Sequence, residues 1–279
     1  MSHRDPFTIT DSAGVKIPCR QWQASDPKSA IVFVHGIQSH SGWFDEACCF
    51  LSERGHTCYG FDRRGAGISE QPRGYIDSYR TWIEELTTVL QFAESESEGR
   101  PVHLLSWCFG AKVALGYLLS TRENSLASAI FLCPGIKTKT QLRWRQMLRV
   151  LVGSKSPDAT PMETPISDEM FTDVPEYLEF IHNDPHSLRK ATPALYFQIF
   201  LLDRFLRKSS NKITLPLLFM LAGQDQIADN EYAVKFYAEA CSQVKRLISY
   251  ANVRHSLFFS TERQRVMDDL CLWLDHKEQ

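Results

Sequence analysis

What the chain lacks narrows its role before any motif is read. None of its apolar runs approaches the roughly 18 residues needed to cross a bilayer. The N-terminal stretch MSHRDPFTITDSAG has no apolar core, so no secretion signal is read there. Basic residues (31) do not outnumber acidic ones (33), and no basic stripe of the kind that grips nucleic acid is seen. The eight cysteines (Cys19, Cys48, Cys49, Cys58, Cys108, Cys133, Cys241 and Cys271) make no C-x-x-C pair and no zinc-like Cys/His spacing. A chain of 279 residues buries enough core to do without disulfides. The expectation is a cytoplasmic protein with reduced thiols, no metal, no nucleic-acid partner and no transmembrane segment.

What is present is a rhythm of short apolar strands and helices. Phe7 to Trp22 alternates around the turn cluster Asp11-Ser12-Ala13-Gly14 and predicts an antiparallel hairpin. Ala30–Val34, His56–Phe61, Val102–Leu105, Ala129–Cys133, Leu215–Ala222 and Lys245–Tyr250 read as further strands. Helical spacing fills the gaps at Trp43–Arg54, Tyr79–Glu94, Tyr232–Ala240 and Thr261–His276. Such alternation predicts a mostly parallel sheet covered on both faces. The rhythm breaks between 136 and 212, a stretch with several prolines, helical patches and no convincing strand. This predicts a core of residues 1–135 and 213–279 with a mainly helical cap inserted at 136–212.

The chain is organised around Pro101–Leu119, a strand, a tight turn and a helix apolar on most faces. At the turn, Ser106-Trp107-Cys108-Phe109-Gly110 has the small-x-nucleophile-x-small layout of a nucleophile elbow, with cysteine as nucleophile. Small residues are needed two before and two after, because strand and helix backbones nearly touch there.

Open parallel sheets place chemistry at the carboxyl ends of their strands. Two more strand ends carry suitable groups: Gly223-Gln224-Asp225 and Arg254-His255-Ser256. His255 would accept the Cys108 proton and later protonate the leaving group. Asp225 would hold the imidazole tautomer and stabilise its charged form. Asp229 is the rival acid. The backbone N–H groups of Ile37 and Phe109 would form the oxyanion hole, and Trp107, beside the nucleophile, is taken as a substrate contact. His35 and His103 are read as structural, and Asp62, Arg64, Gly65 and Gly67 as a turn.

With these residues in place, the chain resembles the monoglyceride lipase and lysophospholipase branch of the α/β-hydrolases. The resemblance rests on VHGIQSHSGWF (34–44), FDRRGAGIS (61–69), SWCFGAKVAL (106–115), GQDQIADN (223–230) and RHSLFF (254–259). It implies the α/β-hydrolase fold with an eight-stranded sheet. It also implies the chain order nucleophile, acid, histidine and an acyl-enzyme mechanism on esters, without cofactor. The sequence departs from the family at the elbow, where Cys108 replaces serine and Ser106 replaces the usual glycine. An elbow cysteine also resembles dienelactone hydrolases and polyhydroxyalkanoate synthases.

Cysteine changes the chemistry. The thiolate is the reactive species, and a helix N-terminus and a nearby His255 both favour it. Attack yields a thioester, open to amines, thiols, alcohols or carbanions as well as water. The leading expectation is a hydrolase of esters, lactones or thioesters. The alternatives are an acyltransferase or cyclase, a non-catalytic binding protein, and an engineered serine-to-cysteine variant. Between 137 and 155 the chain carries Lys137, Lys139, Arg143, Arg145, Arg149 and Lys155 with no acidic residue before Asp158. Trp144, Met147, Leu148 and Leu151 share one stripe there. That segment predicts either a cap helix packed over the pocket or a docking surface for anionic lipid head groups or an acyl carrier.

Overall fold

A computed structural model describes residues 6–121, 125–153, 159–207 and 210–275. The chain opens with an antiparallel hairpin, Phe7–Thr10 (β1) and Lys16–Trp22 (β2). Its turn is closed by Asp11, whose Oδ1 accepts the N–H groups of Ala13 and Val15 at 2.9 and 2.8 Å. Then strands and helices alternate: Ser29–Val34 (β3), Asp45–Ser52 (α1), His56–Phe61 (β4), Tyr79–Glu96 (α2), Val102–Trp107 (β5), Gly110–Ser120 (α3) and Leu126–Leu132 (β6). After a long insertion the alternation resumes with Leu217–Ala222 (β9), Asn230–Glu239 (α7), Lys245–Tyr250 (β10) and Arg263–Asp275 (α8).

These eight strands form one sheet in the order β1-β2-β4-β3-β5-β6-β9-β10. The hairpin joins antiparallel through β2 and β4, and the remaining pairings are parallel. β3, β4, β5 and β9 are buried at every position, as continuous apolar runs require when helices cover both faces. The edge strand β10 instead exposes Arg246 and Ser249, and a charged edge discourages pairing with another chain. α3 lies against the middle of the sheet and is buried on nearly all sides, which explains its lack of a polar face.

The insertion between β6 and β9 contains Trp144–Gly153 (α4), Met162–Glu163 (β7), Pro175–Asn183 (α5), Lys190–Ala191 (β8) and Pro193–Leu206 (α6). β7 and β8 form a two-residue antiparallel pair. The sequence pattern predicts no strand there, because two residues are too few to show a period.

The insertion is tied to the sheet by polar and aromatic contacts. The buried Asp184 carboxylate accepts from Trp43 Nε1 at 2.7 Å and meets His40 Nε2 at 3.1 Å. Burial alone would raise this carboxyl group, but the bonds from His40 and Trp43 hold it well below the usual range. Trp43 packs against Trp107 of β5, Phe171 of the insertion and Phe259, with ring centroids 5.4–5.7 Å apart.

Candidate active site

Cys108 occupies the turn between β5 and α3 with φ +56°. A non-glycine residue in that region stores about 1–3 kcal/mol of strain and needs surroundings that over-determine it. They do. Its N–H donates to Leu132 O at 3.1 Å, and its carbonyl accepts from Gly135 N at 2.8 Å and Ala111 N at 3.1 Å. Gly110 is required by contact: a Cβ there would lie 2.2 Å from Val34 O and 2.9 Å from His35 O. Ser106 fits because its hydroxyl turns inward and donates to Ile130 O at 3.3 Å.

His255 follows β10, and its ring is fully buried. Its Nδ1 lies 2.7 Å from Asp225 Oδ2, in the turn after β9. The other carboxylate oxygen, Oδ1, accepts the N–H groups of Ile227 and Ala228, each at 2.8 Å. With both oxygens engaged, the imidazole is fixed in orientation and its Nδ1 must donate. Its Nε2 is buried without a hydrogen-bond partner among the described residues. Burial would depress the imidazole, but the Asp225 carboxylate and then the Cys108 thiol overcome it and raise the value to about 10. Burial pushes Asp225 the other way, yet His255 and the two N–H groups leave it lowered. The structure thus pairs His255 with Asp225 and places Cys108 close enough to the imidazole to act on it electrostatically.

The remaining predicted residues separate into two groups. Ile37 and Phe109 line the same cavity as Cys108, and neither backbone N–H is taken by another backbone carbonyl among the described residues. Asp229 is elsewhere: it caps α7 by accepting from Tyr232 N at 3.1 Å and pairs with Lys137 at 2.9 Å. Trp107 differs from the expected substrate contact. It does not line the cavity; its ring packs 5.5 Å from the His255 ring, and its Nε1 donates to His255 O at 3.2 Å.

His35 is buried and uncharged, lowered by burial and then by Arg63. Its Nε2 accepts from Arg63 N at 3.1 Å, and its Nδ1 reaches Gly36 O at 2.8 Å. His103 bonds Ser128 Oγ at 2.8 Å and is lowered to about 4 by burial and then by His56. Asp62 closes its loop by accepting from Ser41 N at 2.7 Å and Ile68 N at 2.9 Å, and Arg64 pairs with Glu85 at 2.9 Å.

Three neighbours of the site went unseen in the sequence. Arg63 is buried and donates to Gly36 O at 2.6 Å, directly behind the Ile37 N–H. Its guanidinium sits 4.8 Å over the Phe109 ring, so one side chain supports both expected oxyanion donors. Cys133, at the end of β6, brings its sulfur within 4.8 Å of Asp225 and His255 ligand atoms. Burial pushes that thiol up, and the Asp225 charge pushes it further. Lys139 donates to the Asp225 carbonyl at 2.6 Å. Only Cys133 left a signal, as a small polarizable residue at a strand's carboxyl end before Pro134-Gly135.

Above Cys108 lies a cavity of about 330 Å³, walled by α4, α6 and the loop around Ile166. Met147, Val150 and Leu151 of α4 face it, along with Phe197, Ile199 and Phe200 of α6. The apolar stripe of α4 is only partly used: Trp144 is 68% and Leu151 69% exposed. Of the basic residues in this segment, Lys137 and Lys139 are already engaged with Asp229 and Asp225. Lys155 lies outside the described residues.

A parallel sheet with a histidine, an acid and a strained turn residue at its strand ends defines an α/β-hydrolase. Residues 25–262 match the family described as serine aminopeptidase, S33, and the chain belongs to that family. It is 22% identical over 246 residues to phospholipase YtpA of Bacillus subtilis, covering 88% of this chain and 94% of that protein. It is likewise 22% identical to human monoglyceride lipase, covering 91% and 84% of the two. A solved structure of a soluble variant of the monoglyceride lipase from Saccharomyces cerevisiae superimposes with a TM-score of 0.87 at 21% identity, covering 99% of this chain and 96% of that one. Among the described residues no helix is long and apolar enough to cross a membrane.

Proposed function

We propose that the protein is an acyl hydrolase that works through Cys108, His255 and Asp225 and a covalent thioester. The observation that supports this reading is the buried Asp225–His255 pair, whose Nε2 has no hydrogen-bond partner among the described residues and whose imidazole is raised by Asp225 and then by nearby Cys108. His255 takes the thiol proton, and the sulfur attacks the substrate carbonyl. The oxyanion that forms is met by the N–H groups of Ile37 and Phe109. As the carbonyl re-forms, the bond to the leaving alcohol or thiol breaks, and His255 returns the proton to that group. Water, deprotonated by the same imidazole, then releases the acid and restores the thiol.

The substrate class follows from the cavity, whose apolar wall suits an aliphatic acyl chain, and from relatives named as lipases and phospholipases. Esters, lactones and acyl thioesters all fit the chemistry, with no cofactor required. Cys108→Ala should abolish both turnover of an activated short-chain ester and stoichiometric labelling by iodoacetamide. Turnover near the wild-type rate in that variant would overturn the proposal.

A second reading is favoured by the thioester itself within an apolar, helix-covered cavity: the acyl group passes to an acceptor other than water. Mass spectrometry of the products separates the two, since free acid with every acceptor tried leaves hydrolysis alone. The exposed part of α4, with Arg143, Arg145 and Arg149, is proposed as the surface that meets a lipid head group or an acyl carrier.

A further inference from the structure

The cavity wall is apolar except at two places that the proton relay leaves unused. Lys112 stands in the first turn of α3, four residues after Cys108, and faces the cavity with its side chain 5% exposed. An ammonium group carries three N–H donors. Among the described residues it has one partner, the Asp203 carboxylate on α6. Tyr196 lies seven residues earlier on α6, two turns away on the same face, and also lines the cavity. Its Oη is buried and has no hydrogen-bond partner among the described residues.

Both features are costly if the cavity holds a plain hydrocarbon. A buried lysine is tolerated only when its donors are satisfied, and a buried hydroxyl without a partner is rare in folded proteins. An alkyl chain entering the cavity would offer neither group a hydrogen-bond partner. Their purpose as a structural clamp is also thin, because Asp203 keeps 43% of its side chain exposed and needs no buried partner.

We infer that the cavity is built for acyl chains carrying a neutral oxygen function, a ketone or hydroxyl, that accepts hydrogen bonds from Lys112 Nζ and Tyr196 Oη. The function is neutral because Asp203 already balances the ammonium. A second carboxylate would be attracted by Lys112 but repelled by Asp203. Lys112 and Tyr196 are thus specificity-determining residues, placed along the chain path from Cys108. This inference rests on the reading of Cys108 as the acyl acceptor.

The test compares kcat/KM for octanoyl N-acetylcysteamine thioester with a series of keto isomers bearing the ketone at successive positions. A site that bonds an oxygen rejects the analogue lacking it, so at least one isomer should exceed the plain octanoyl substrate by about tenfold or more. Lys112→Met should bring that ratio close to one. Tyr196→Phe should lower the ratio without lowering the thermal midpoint, since it deletes only an unpartnered oxygen. That second variant decides the matter if Lys112→Met folds poorly. The inference is overturned if the wild type prefers no isomer, or if the preference persists in Tyr196→Phe and in a folded Lys112→Met. In either case, octanoyl turnover that still depends on Cys108 would leave the acyl-enzyme reading standing. Loss of that dependence would remove both.

Discussion

Asp225→Asn isolates the electrostatic part of the site with little change of shape. In the wild-type structure one carboxylate oxygen accepts two N–H bonds of 2.8 Å from Ile227 and Ala228, and the other faces His255 Nδ1 at 2.7 Å. An asparagine must keep its oxygen toward the two N–H donors. Its NH₂ group then points at Nδ1, which becomes an acceptor, and the proton moves to Nε2. That tautomer cannot take a proton from Cys108. In serine triads the corresponding change costs about 10⁴-fold in kcat, and a loss of about 10³- to 10⁴-fold is expected here. The variant also removes the first of the influences that oppose burial and raise His255 to about 10, so burial should carry the imidazole below its ordinary range. The assay is the pH dependence of iodoacetamide alkylation of Cys108 beside the pH–rate profile for an activated ester. At one pH below the His255 value of about 10, Cys108 should be alkylated faster in the wild type than in Asp225→Asn, whose imidazole no longer takes the thiol proton. A variant within threefold of the wild type, with an unchanged alkylation profile, would refute the reasoning.

Other outcomes follow from the same contacts. Stability should depend on pH through the His255–Asp225 pair. The raised histidine contributes fully below its unfolded value and loses that contribution as pH rises through about 10. The lowered Asp225 contributes above its unfolded value and loses it as pH falls through its depressed folded one. Thermal midpoints should therefore fall at both extremes, and Asp225→Asn should flatten both arms. Gly110→Ala sets a Cβ 2.2 Å from a backbone carbonyl, so destabilisation of about 4 kcal/mol or more is expected, read as lost soluble yield or a lowered midpoint in thermal denaturation. If α4 meets an anionic partner, Trp144→Ser with Arg149→Gln should weaken sedimentation with anionic vesicles. The wild-type binding should also fade as salt is raised.

Much of this architecture was legible because it is written in local patterns. Runs such as Ile31–Val34 and Leu217–Leu221 are apolar without alternation, and burial on both faces follows from that alone. The tight Gly110 approach was readable because an elbow tolerates few residue types at that turn. What stayed hidden depends on partners distant in sequence. Nothing near Lys112 in the sequence points to Asp203, its partner in the insertion 91 residues away. Arg63 was masked by a loop in which Asp62 and Arg64 drew attention, and its partner Gly36 lies on another strand end. Trp107 is adjacent to Cys108 along the chain, but its indole bonds the His255 carbonyl and packs on the His255 ring instead of lining the cavity.

The most direct measurement is intact-mass spectrometry of the protein mixed with a panel of esters, lactones and acyl thioesters, with peptide mapping of any adduct. A Cys108 nucleophile predicts one acyl group per chain, located on Cys108, forming far more slowly in Asp225→Asn and absent in Cys108→Ala. Turnover of the same substrates by Cys108→Ala, with no adduct on Cys108 in the wild type, would contradict it.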